Sequence, residues 1–171
     1  FLDDIIITHE HGDHMYLPLI QKLVAKFPSV RITAPATAAQ QLMLEKIDAS
    51  SEPREGIVFF EAPHESVAPL FPQLEQSGIH YLGVLTNPGD SHTFYETKPV
   101  LAMPITAPWG STVKAVNVVL DLKPQYVIPI HDWHWSDVAR QQTYDMLEGL
   151  FEEQGIKFLK PRTGAPMQID I

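Results

Sequence analysis

Hydrophobic and polar positions along the chain fall into two alternating rhythms. "DDIIIT" (Asp3 to Thr8) is a short, unbroken, β-branched run, the pattern of a strand buried on both faces. Tyr16, Ile20, Leu23, Val24 and Phe27 then recur at helical spacing until Pro28 stops the pattern. "VRITA" (Val30 to Ala34) predicts a second strand, and "ATAAQQLMLEKI" (Ala36 to Ile47) a second helix built from good helix formers. The polar stretch "DASSEPREG" follows as a loop. "IVFFEAP" (Ile57 to Pro63), "HYLGVLT" (His80 to Thr86), "VLAMPI" (Val100 to Ile105) and "QYVIPI" (Gln125 to Ile130) predict four more strands. Ser111 is placed to cap a helix to about Leu122, with Val113, Val116, Val119 and Leu120 on one face. Ser136 is placed to cap another to about Gln154, ended by Gly155, with two short strand-like pieces closing the chain. Strands alternating with helices predict an α/β class with a mixed sheet.

Composition narrows this picture. A chain of 171 residues, 44% hydrophobic, suits one globular domain over residues 1–171 with a sizeable core. Twelve Lys and Arg against 21 Asp and Glu give a net charge of -9, which disfavours nucleic acid or any other polyanionic partner. With no cysteine, a metal site must be built from His, Asp, Glu and water. No apolar stretch approaches the roughly 20 residues needed to span a bilayer, so no membrane partner is expected. The chain opens at Phe1 in a strand-like run. A segment preceding it is therefore expected, and a cytoplasmic location is the working expectation with a signal peptide left unjudged.

The candidate chemistry lies at strand ends. "HEHGDH" (His9 to His14) follows the first strand, His64 the third, Asp90 the "NPGD" turn, and His131 the strand "YVIPI". In layered α/β folds, strand ends converge on one edge, so these residues can meet in one cleft. A single histidine after a strand is normally a hydrogen-bonded structural residue. Four ligand-type residues within six positions are better explained by metal. His9, His11 and Asp13 at i, i+2 and i+4 can face metal from an extended or turning backbone, whereas a helix would scatter them. Imidazole and carboxylate suit zinc, manganese or iron, and Gly12 permits a tight turn.

"THEHGDH" resembles the H-x-H-x-D-H signature of the metallo-β-lactamase superfamily. "APHES", "NPGDS" and "YVIPIHD" fall in the order in which that superfamily supplies its further ligands. The resemblance is nearest to small bacterial hydrolases related to ascorbate-6-phosphate lactonase, in which segments like "LAMPITAPW" (Leu101 to Trp109) and "PIHD" (Pro129 to Asp132) recur. It implies a four-layered αββα sandwich, lacking here the strands that normally precede the signature. It also implies two divalent ions, zinc first among them, with His9, His11 and His64 on one, Asp13, His14 and His131 on the other, and Asp90 bridging. A hydroxide between the ions would attack a carbonyl or phosphorus centre, with Asp13 as a catalytic proton acceptor. The implied function is hydrolysis of a small ester, lactone or phosphorylated metabolite.

Other residues are ambiguous. His92 and Asp132 are candidates to contact substrate or to orient a ligand, against exposure on a loop for His92. His80 and His134 read as structural and Glu10 as solvated. Trp109, Trp133 and Trp135 either rim the cleft or simply pack. Competing functions are a nuclease of the tRNA 3′-processing type, which needs a basic surface that -9 does not supply; a diiron oxygen- or nitric-oxide-reducing protein, whose branch carries Glu where His11 stands; and a silent binding protein of the same fold. β-Lactamase activity itself does not suit the "PGD" turn. The partner expected is a small-molecule substrate, with a homo-oligomer left open.

Overall fold

The computed structural model describes residues 1–66, 74–162 and 164–171. Its elements run β1 (Asp4–Ile6), α1 (Leu17–Lys26), β2 (Arg31–Thr33), α2 (Ala36–Leu44), β3 (Ile57–Phe60), β4 (Gly78–Tyr81), β5 (Leu85–Asn87), β6 (Val100–Pro104), α3 (Thr112–Leu122), β7 (Tyr126–Ile130), α4 (Asp137–Glu152) and β8 (Lys157–Phe158).

The strands form two sheets. β1 and β2 pair in parallel, and the other six lie in the order β3-β4-β5-β6-β7-β8, antiparallel from β3 to β5 and parallel from β5 to β8. Each sheet has its own apolar core. Ile7 and Ile32 pack with Ile20 of α1 and with Ala38, Ala39 and Leu42 of α2. Leu101 and Met103 of β6 and Val127 of β7 pack with Ala115 and Val119 of α3 and with Leu147 and Phe151 of α4. β6 is buried at all five positions, as a central parallel strand covered on both faces should be. Asp4 of β1, little exposed, ties the two sheets by pairing with Arg54 ahead of β3 and accepting from the Tyr81 hydroxyl of β4 at 3.2 Å.

Several expectations are corrected. "HYLGVLT" is a hairpin rather than one strand: Leu82 (φ 52) and Gly83 (φ 68) are left-handed, and Val84 N–H donates to the Tyr81 carbonyl at 3.0 Å. The pattern concealed it because leucine is a rare occupant of that conformation. The second helix ends at Leu44 rather than Ile47, where Lys46 (φ 61) leaves helical backbone. Ser111 stands at the start of α3 without making a side-chain cap, whereas Ser136 does cap α4, accepting from Ala139 N–H at 3.3 Å. After α4 there is one strand, β8, among the described residues. No helix among them is long and apolar enough to cross a membrane.

Candidate metal centre

Four chain segments, each leaving a strand, build the centre. After β1, the backbone coils through residues 9–14, with His14 N–H and Met15 N–H both donating to the His11 carbonyl, at 2.9 and 2.7 Å. This folds His9 and His11 toward one side and Asp13 and His14 toward another. After β3, His64 is fixed by its own neighbour: its Nδ1–H donates to the Glu65 carbonyl at 2.6 Å. A carbonyl only accepts, so the proton sits on Nδ1 and the Nε2 lone pair faces the centre.

After β5, the Asp90 turn is held at three points. Asn87 Oδ1 accepts from Gly89 N–H at 2.9 Å, Gln76 Oε1 accepts from Asp90 N–H at 2.9 Å, and the Asp90 carbonyl accepts from Glu65 N–H at 2.7 Å. Gly89 is required there: its φ is +61, and a Cβ would lie 2.8 Å from Gln76 Oε1 and 3.1 Å from Thr8 Cβ. After β7, His131 adopts φ 62, a left-handed conformation uncommon outside glycine and a form of strain found at functional sites.

Asp90 is the focus of the geometry. Its Oδ1 lies 2.9 Å from His14 Nε2 and 2.8 Å from His131 Nε2, while its Oδ2 lies 3.3 Å from His64 Nε2 and 3.8 Å from His9 Nε2. His9 Nε2 and His11 Nδ1 are 3.0 Å apart, and His14 Nε2 and His131 Nε2 are 3.1 Å apart. The donor atoms fall into two groups, His9, His11, His64 and Asp90 in one and Asp13, His14 and His131 in the other, each within 4.8 Å of its fellows. All seven sequence-predicted ligand residues are thus brought together.

These donors fit divalent cations on an observation of their own. His64 Nε2 and Asp90 Oδ1 are buried without a hydrogen-bond partner, although nitrogens and oxygens crowd around them. Buried polar atoms normally have a partner, and lone pairs converging at this range repel unless a cation lies among them. Imidazole nitrogen with carboxylate oxygen, and no thiolate, suits zinc, manganese or iron.

The electrostatics agree. Burial and the neighbouring His14 push His9 down to about 3, so its ring stays neutral and ready to ligate. Burial and His64 likewise lower His11. Burial alone would lower His64, but Asp90 and the Glu65 carbonyl outweigh it and raise the ring above its ordinary value. Burial would raise Asp90, yet His131, His14 and His64 hold its carboxyl far below the usual range.

The other candidates sort by contact. His92 is buried rather than exposed: its Nε2–H donates to the Pro104 carbonyl at 2.9 Å, and its Nδ1 has no partner. It belongs to neither donor group. Asp132 turns away toward α4, where it pairs with Arg140 at 2.7 Å and accepts from the Tyr144 hydroxyl. His80 is structural, stacked on Phe60 and bonded across the hairpin to Thr86 at 2.9 Å. His134 and Trp133 are exposed, and Trp135 packs on the larger core. Trp109 does border the centre, its ring 5.3 Å from His131 and 5.8 Å from His64. Glu10 is not wholly solvated, since its Oε2 is buried without a partner. The supporting roles of Thr8, Glu65 and Gln76 escaped the sequence; the one signal available was Thr8, a hydroxyl closing an apolar run directly before His9.

No protein-family model matches the chain. By sequence it is similar to protein Rv0786c of Mycobacterium tuberculosis, 29% identical over 167 residues, covering 85% of this chain and 74% of that protein. Two solved structures share the fold. Igni18, a metallo hydrolase from the archaeon Ignicoccus hospitalis, superposes with a TM-score of 0.70 at 15% identity, over 99% of this chain and 80% of that one. A protein of Parabacteroides distasonis, assigned as a metal-dependent hydrolase, does so with a TM-score of 0.66 at 19% identity, over 93% and 76%. The fold is that of these hydrolases.

Proposed function

We propose that the chain is a metal-dependent hydrolase with a dinuclear centre, acting on a small ester, lactone or phosphorylated metabolite, in an αββα sandwich of the metallo-β-lactamase type. One observation carries this reading. The two carboxylate oxygens of Asp90 face different histidine sets, the arrangement required of a residue shared by two ions. The fold shared with proteins named as hydrolases supports it.

His9, His11 and His64 would hold one ion and Asp13, His14 and His131 the other, with Asp90 between. When bound, two divalent ions lower the pKa of water toward neutrality and stabilise negative charge on a carbonyl or phosphoryl oxygen. The chain's own residues do the rest. Asp90, fixed by Gln76 and Glu65, keeps the two histidine sets in register. Asp13, with 60% of its side chain exposed, is the group in the centre open to solvent and is placed to accept a proton during turnover. Trp109 gives the cleft one apolar wall, which orients a small organic substrate and thins the water around it. The net charge of -9 favours a small substrate over a nucleic acid.

The test is hydrolysis of a panel of lactones, aryl esters and phosphoesters by protein loaded with zinc or manganese, beside chelator-treated protein and Asp90→Asn. Turnover of at least one class, lost on chelation and restored by metal, is expected, with Asp90→Asn reduced by roughly tenfold or more. Full metal occupancy with no turnover of any class would contradict the reading and favour a silent binding protein.

A further inference from the structure

The Thr8 hydroxyl lies 3.0 Å from His9 Nδ1 and 3.1 Å from His14 Nδ1. Those two histidines belong to different donor groups: His9 sits with Asp90 Oδ2, and His14 lies against Asp90 Oδ1. We propose that Thr8 is a positioning residue common to both halves of the centre, its one oxygen accepting the Nδ1–H of both rings and so presenting both Nε2 lone pairs inward. This rests on the dinuclear reading above.

Proton placement supports it. A neutral imidazole carries one ring proton, so a ring that ligates through Nε2 must carry its proton on Nδ1, and that N–H needs an acceptor when buried. A hydroxyl oxygen has two lone pairs, enough for two such donors. Water is a poor substitute, since Thr8 is 3% exposed and His9 0%. The hydroxyl is also held in place: the Thr8 carbonyl accepts from Ser77 N–H at 3.1 Å, and its Cβ packs so near Gly89 that a Cβ there would come within 3.1 Å. A β-branched side chain has few rotamers to lose in staying there. His64, by contrast, has an acceptor of its own in the Glu65 carbonyl.

The experiment uses the full metal-free chain, with zinc alone titrated against a competing chromophoric chelator, on wild type, Thr8→Val and Thr8→Ser. Wild type should take up two zinc ions. Thr8→Val, equal in shape but lacking the acceptor, should bind both ions about 10–100-fold more weakly, and Thr8→Ser should stay close to wild type. Should Thr8→Val not fold, nitrogen NMR of zinc-loaded wild type decides: His9 and His14 should each carry Nδ1–H and ligate through Nε2. Unchanged zinc affinity in Thr8→Val, weakening of one binding step alone, or Nδ1 ligation by either ring would overturn the role of Thr8. Absence of zinc from wild type would instead overturn the dinuclear reading and take the role of Thr8 with it, so the two failures are distinguishable.

Discussion

At the scale of single residues, the seven donors are not equivalent, and their grouping predicts different losses. His11 belongs to one group and Asp13 to the other. His11→Ala and Asp13→Asn should therefore each reduce bound metal from two equivalents toward one, whereas Asp90→Asn should weaken both ions. Elemental analysis of the three variants measures this, and identical losses in all three would speak against two separate groups. The convergence of the seven candidate donors was legible in the sequence, because H-x-H-x-D-H spacing and strand-end placement both point to one shared cleft. Their supports were not. Gln76 fixes the Asp90 turn from 14 positions away in the chain, and Glu65 binds Lys114 of α3 at 2.9 Å and His92 N–H at 3.2 Å through its carboxylate. Such contacts arise from tertiary packing and leave no periodic trace. Asp132 shows the reverse error: its neighbour His131 made it a tempting partner, yet Arg140 and Tyr144 from α4 claim its carboxylate.

At the scale of elements, two turns carry opposite lessons. The Asp90 turn was readable because "NPGD" advertises itself, and the structure shows why glycine is needed at position 89. Gly89→Ala should destabilise the protein by about 1–2 kcal/mol, the cost of an L side chain in left-handed backbone, with a further cost as the new methyl meets Gln76 and Thr8. Denaturant unfolding measures it, and a neutral result would mean that the turn relaxes without strain. The β4–β5 turn was hidden because Leu82 occupies a position that favours asparagine or glycine. Leu82→Asn, creating Asn-Gly at a largely exposed site, should stabilise the chain by up to about 1 kcal/mol. A loss of stability would show that the leucine side chain packs on Gly56 to greater effect than its backbone costs. Strand and helix existence was otherwise legible from period; boundaries moved by a few residues where caps, rather than apolar spacing, decide the end.

At the scale of the whole molecule, the polar interior makes stability depend on pH in the metal-free state. Burial lowers His9, His11, His80 and His92 below the ordinary 6.5. Between that value and the lowered ones the unfolded chain binds protons that the folded chain does not, so stability falls as pH falls. His64, raised, acts with the opposite sign near and above 6.5, whereas His9, held down to about 3, opposes protonation across the whole interval from 6.5 to 5. Thermal melting of metal-free protein should therefore give a lower Tm at pH 5 than at pH 7.5, by at least about 2–4 °C, the shift that 1 kcal/mol produces in a chain of this size. A higher Tm at pH 5 would mean that these histidines are protonated in the folded state. Metal should steepen the trend, since an ion bound to the folded state alone adds stability at neutral pH, where the histidine ligands are deprotonated, and less at pH 5. Both sheets meet at the centre, β1 delivering six-residue "HEHGDH" and the larger sheet delivering His64, Asp90 and His131, so binding there also joins the two cores. The most direct measurement is anomalous diffraction from crystals of the protein grown or soaked with zinc. Two peaks are expected, one among His9, His11 and His64 and one among Asp13, His14 and His131, with Asp90 reaching both. A single peak, or peaks that leave Asp90 untouched, would contradict the dinuclear centre.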